Sequence, residues 1–71
     1  MTNALVSRVV AVCEEFTDTV LYDEIHKSII INIHKERFPT LRKEIKKYGY
    51  MLVHMSKMDE TDSFTCVFIR F

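Results

Sequence analysis

Hydrophobic residues recur along this chain with more than one spacing, and each change of spacing predicts a change of element. Leu5, Val9, Val12, Phe16 and Val20 fall at helical intervals, widened by Val6, Val10 and Cys13, so a first helix with one broad buried face is expected. Thr2 or Asn3 can cap its start. The pattern lapses at Thr17, Asp18 and Thr19, residues suited to capping a second helix with Asp23 and Glu24 near its positive N-terminal end. Leu21, Ile25, Ile29 and Ile33 then recur at steps of four, with Tyr22 and Ile30 alongside, which is the stripe of a core-facing helix. The interior of this segment is rich in β-branched residues, and a short strand over residues 28–34 is the rival assignment.

Pro39 would lose a hydrogen bond and clash inside a helix, so a break is expected there. Thr40 can cap a short third helix over residues 41–48, with Leu41, Ile45 and Tyr48 on one side and Arg42, Lys43, Lys46 and Lys47 over the rest. Gly49 stands where a left-handed C-terminal cap belongs. The remaining residues predict two strands, 50–58 and 63–71, joined by the polar loop Asp59, Glu60, Thr61 and Asp62. In that register Met51, Val53 and Met55 share a face with Phe64, Cys66 and Phe68, and Tyr50, Leu52 and His54 share the other with Val67, Ile69 and Phe71. Both faces are largely apolar. The expected fold is therefore α+β: two or three helices packed on one face of a C-terminal antiparallel β-hairpin, in a single small domain spanning residues 1–71.

A hairpin can lay only one of its faces on its own helices. The other, carrying Leu52, His54, Val67, Ile69 and Phe71, is the expected self-association or partner surface. Both strands of such a hairpin are also edges, with backbone groups free to pair with a strand of another chain. Met51, Met55 and Met58 add adaptable apolar surface. A homodimer is the expected assembly, and oligomerisation is a common remedy for the small core of a 71-residue chain.

Composition sharpens this picture in two places. Hydrophobic residues make up 48% of the chain, too many for a disordered one. Ten basic and ten acidic residues cancel, so no global field drives the chain onto nucleic acid or anionic lipid. The charges are nonetheless segregated: Glu14, Glu15, Asp18, Asp23 and Glu24 precede the basic cluster of Lys35, Arg37, Arg42, Lys43, Lys46 and Lys47. Cys13 and Cys66 lie far apart among apolar neighbours and are expected to be buried thiols. No signal peptide or membrane span is expected, and a soluble, reducing, cytoplasmic setting is the default.

Candidate chemistry is sparse. On a helix His26 and His34 would stand about 12 Å apart, too far to share one metal ion, and no metal or cofactor is expected. Cys13 beside Glu14 and Glu15 would have its thiol pKa raised, the opposite of what a nucleophile needs. With a single glycine there is no phosphate-cradling loop, and no catalytic residue is assigned. The order of predicted elements, with residues 41–50 reading as a basic helix that passes into a hairpin, resembles winged-helix DNA-binding domains. The resemblance implies that Arg42, Lys43, Lys46 and Lys47 contact DNA. In size and style the chain is also similar to virus-encoded accessory inhibitors of host machinery. The expected function is a non-enzymatic regulator or inhibitor that binds another protein, with a DNA-binding transcriptional regulator using residues 40–48 as the alternative.

Overall fold

The isoleucine-rich segment that suits either a helix or a strand is a strand. In the computed structural model, which describes residues 4–70, six elements follow one another. They are α1 (Ala4–Glu14), β1 (Val20–Asp23), β2 (Ser28–His34), α2 (Phe38–Lys46), β3 (Tyr50–Lys57) and β4 (Ser63–Arg70). The strands form one antiparallel sheet in the order β1-β2-β4-β3. The expected second helix is thus corrected to a hairpin. Steps of four in Leu21, Ile25, Ile29 and Ile33 are also steps of two, and what separates the readings is Ile25, which is 88% exposed. Ile29, Ile31 and Ile33 are buried at strand period, where β-branched side chains fit best.

Asp23, expected near the N-terminal end of that helix, serves the turn instead. Asp23 Oδ1 accepts the backbone N–H groups of Ile25 and His26, and Asp23 Oδ2 lies 2.7 Å from His26 Nδ1. Lys27 closes the turn with a φ of 52°. A side chain that accepts N–H groups two and three residues ahead does the same chemistry at a turn as at a helix start, which is why the two are confused in sequence. Thr17 likewise turns the chain: its hydroxyl donates to the Asn32 carbonyl at 2.6 Å and accepts the Thr19 N–H.

Helix α1 buries Val6, Val9 and Cys13, with Leu5, Val12 and Phe16 packed beside the core. The expected caps Thr2 and Asn3 lie outside the described residues. Helix α2 starts at Phe38, so Pro39 does not precede the helix but occupies its first turn, where the missing N–H has no intrahelical partner to lose. Leu41 and Ile45 are its buried residues. Its last turn tightens through Tyr48 N–H to Ile45 O and Gly49 N–H to Lys46 O, and Gly49 takes the left-handed φ of 84° expected of it.

Both helices cover the same side of the sheet. The core joins Val9 and Cys13 of α1, Leu41 and Ile45 of α2, Ile29, Ile31 and Ile33 of β2, Tyr50 of β3, and Cys66 and Phe68 of β4. Cross-strand registry explains the layering. Tyr22, Ile29, Phe68 and Leu52 stand in one row across the sheet, and Val20, Ile31, Cys66 and Met55 in the next, all toward the helices.

Candidate interaction surfaces

Alternate residues of the same strands form the face turned away from both helices. One row there runs Leu21, Ile30, Val67, His54, and its neighbour Asp23, Ser28, Ile69, Met51. A third row, Asn32, Thr65, Ser56, is polar, and Thr65 donates its hydroxyl hydrogen to Asn32 Oδ1 at 2.9 Å. The outer face therefore has an apolar centre with a polar border on one side. Leu21 is 63% exposed and Met51 45%, while Ile30, Val67 and Ile69 are half-buried by one another and their neighbours. No described element of the chain covers them.

Of the five residues expected on this surface, His54, Val67 and Ile69 are on it. Leu52 is not. It pairs with Phe68 on the helix side and packs against the core. The cause is an irregularity between Leu52 and His54, where the register shifts by one residue and leaves Val53 as a bulge, 47% exposed. A single extra residue reverses the facing of everything after it, so Tyr50 and Leu52 point inward while His54 and Ser56 point outward. The polar spacing signalled this, since strict alternation from Tyr50 would have turned His54 and Ser56 toward the core. Phe71 lies outside the described residues.

The expectation that both hairpin strands are edges is also corrected. Strand β4 is central, paired on one side with β2 and on the other with β3, so the free edges are β1 and β3. Sequence reading missed this because it placed a helix where β2 supplies the fourth strand's partner.

The basic residues of α2 and its C-cap have two different settings. Arg42, Lys43 and Lys46, with Phe38 and Pro39, line a groove between α2 and β3 whose other wall is Tyr50, Met51 and Leu52. Arg42 stands 5.9 Å from the centroid of the Phe38 ring, a cation–π approach that holds its guanidinium above the apolar wall. Lys47 does not line the groove, and its Nζ lies 3.2 Å from Glu44 Oε1. A second depression, bordered by Glu14, Glu15, Asp18, Glu36 and Arg37, is acidic instead. The winged-helix order is absent from the fold, since a β-hairpin and not a helix precedes α2.

Burial pushes the Cys13 thiol up to about 11, with Glu14 adding to the rise, and burial alone pushes Cys66 to about 11. Both are free cysteines enclosed in the core. Burial also raises the Tyr50 phenol. The hydrogen bond to the His26 ring lowers the Asp23 carboxyl. Among the described residues no group of three or more His, Cys, Asp or Glu side chains is placed to hold a metal ion. No described helix is long and apolar enough to cross a membrane. Comparison with protein-family models, curated proteins and solved structures returned no match.

Proposed function

We propose that this chain is a small non-enzymatic regulator that binds another protein, self-associating through the outer face of its sheet and meeting its partner with the basic side of α2. The observation that carries the reading is the apolar centre of the outer face, Leu21, Ile30, Val67, Ile69 and Met51, with no cover from its own helices. Scattered apolar residues on a surface are ordinary, but a contiguous group with a polar border is the usual form of an association site. The thiols fit no nucleophilic role, because a pKa near 11 keeps them protonated at neutral pH. Free thiols in the core also suit a reducing, cytoplasmic compartment.

Arg42, Lys43 and Lys46 support DNA binding as a second reading, in which they neutralise phosphates. A net charge of zero and a β-hairpin, not a helix, immediately before α2 argue for the protein partner over the duplex. Affinity capture from the source cells with the wild-type chain, Ile69→Asp and Lys43→Glu/Lys46→Glu separates the two. A stoichiometric protein that the wild type holds and a surface variant releases supports the regulator. Co-purifying nucleic acid that only the charge-reversed variant loses replaces it with the DNA reading.

A further inference from the structure

Three features of the α2–β3 groove lie together and are not used by the outer face. Strand β3 is a free edge, and alternate residues of an edge strand direct N–H and C=O groups away from the sheet with no strand to receive them. Its first half, Tyr50, Met51, Leu52 and Val53, carries no charge or proline, the devices that protect edges from pairing. The other edge, β1, is only four residues long and ends in Asp23. Beside the unprotected edge the groove has an apolar floor of Phe38, Pro39, Tyr50 and Leu52, with a volume of about 830 Å³. That is within the usual range of binding clefts, about 300–1,000 Å³.

The rim decides what fits. Arg42, Lys43 and Lys46 all border the groove, and among the described residues none of the three forms an ion pair with a carboxylate. The one acid on α2, Glu44, does not line the groove and is engaged by Lys47. Like charges gathered on one rim repel each other, and an acidic occupant removes that repulsion while gaining charge-assisted hydrogen bonds. Resting on the reading that the partner is a protein, we infer that this groove takes an extended acidic segment of that partner, which adds to the edge of β3 as a fifth strand.

Geometry sets the length and pattern of the segment. Helix α2 has nine residues and is about 13 Å long, the reach of about four strand residues. The bulge after Leu52 ends the regular edge at a similar distance. In an added strand every second side chain enters the groove. Those positions take an apolar anchor over Phe38, Tyr50 and Leu52, flanked by Glu or Asp within reach of Arg42, Lys43 and Lys46. The intervening side chains extend the outer face beside Met51.

The probe is a fluorescein-labelled pentapeptide, Glu-Thr-Phe-Thr-Glu, titrated with the full chain and read by polarisation and by backbone amide NMR. Micromolar binding is expected, with shifts in α2 and residues 50–53, and with about tenfold or greater weakening for Lys43→Glu/Lys46→Glu, since about 1.4 kcal/mol of lost contact is tenfold. Both lysines are exposed, so the variant keeps its fold, which its own amide spectrum verifies. Equal binding of Lys-Thr-Phe-Thr-Lys, shifts at Val67 and Ile69 instead of β3 and α2, or no binding to a folded chain would each overturn the inference. Displacement of the bound peptide by a DNA duplex at low salt, with the duplex binding more tightly, would assign the cations to phosphates and overturn it as well. If the peptide fails while a captured protein still depends on Lys43 and Lys46, the groove is wrong and the regulator stands. A failure to capture any protein removes the regulator itself.

Discussion

Replacing Ile69 with Asp places a carboxylate in the centre of the outer face, next to Met51 on one side and Ser28 on the other. Strands of four, seven, eight and eight residues, about 4.8 Å apart and rising about 3.3 Å per residue, present a face of about 430 Å². That is under a tenth of the 5008 Å² surface of the chain. Two such faces bury about 860 Å², below the roughly 1,200–2,000 Å² of stable specific complexes. If about two thirds of this area is apolar, burial contributes about 14 kcal/mol at 25 cal/mol per Å². Association costs about 4–15 kcal/mol of lost freedom, so a dimer of micromolar affinity is the expected result, not a tight one. An unpaired Asp in each copy costs about 2 kcal/mol or more, and the pair shifts the dissociation constant by about a thousandfold. In the monomer Ile69 is only half-buried, so the same change costs about 1–2 kcal/mol against a total stability of about 4–10 kcal/mol for a chain of this length. Sedimentation velocity across about 5–500 μM, with circular dichroism on the same samples, reads both effects. Wild type should pass from monomer to dimer and Ile69→Asp should remain a folded monomer. A wild type that is monomeric throughout, or a variant that dimerises equally well, refutes the reasoning.

Phe68 is fully buried at the centre of the sheet, and Phe68→Ala should cost about 3–5 kcal/mol, most of the total stability, so its thermal transition should fall sharply or vanish. Gly49→Ala adds a Cβ that meets only the Arg70 side chain at an ordinary 3.7 Å, so its loss of about 1–2 kcal/mol comes from the left-handed backbone, and urea melts should show it without any change in m-value. The thiols make stability fall at alkaline pH. Their folded pKa of about 11 exceeds the ordinary value of 9.0, so their contribution is complete below about pH 9 and is lost as pH rises toward 11. Two units are worth about 3 kcal/mol per thiol. Urea midpoints of the wild type should therefore drop between pH 9 and 11, and those of Cys13→Ala/Cys66→Ala should drop less.

The parts of this fold that sequence reading reached are those where one period excludes the other. Leu41 and Ile45, among cations at Arg42, Lys43, Lys46 and Lys47, fit only a helix, and the polar loop after Met58 fits only a turn; both stand within a few residues of their expected positions. The misreading at residues 20–34 arose where the apolar step was four, a multiple of both the strand period and nearly the helical one. Ile25 alone broke the tie, and its exposure is a tertiary fact: the Asp23 turn projects it beyond the sheet. The bulge at Val53 was legible only in part: strict alternation from Tyr50 would turn His54 and Ser56 toward the core, but residue order does not mark which position is skipped. The cations of α2 were visible as a group, but the split that sends Lys47 to Glu44 and the other three to the groove needed the helix axis and β3 together.

Strand β3 belongs to both proposed surfaces, and this ties them energetically. Its helix-side residues Tyr50 and Leu52 form a wall of the groove, while Met51 and His54 lie on the outer face. A strand added at its edge would present its own alternate side chains beside Met51, widening an outer face whose area is otherwise marginal for a stable dimer. Partner binding and self-association are then linked with the same sign, and linkage requires each to strengthen the other by the same factor. The bulge at Val53 limits this coupling to the first half of β3. Beyond it the facing of the strand is reversed, Met55 and Lys57 come to the helix side, and the edge offers an added strand no continuous register to follow.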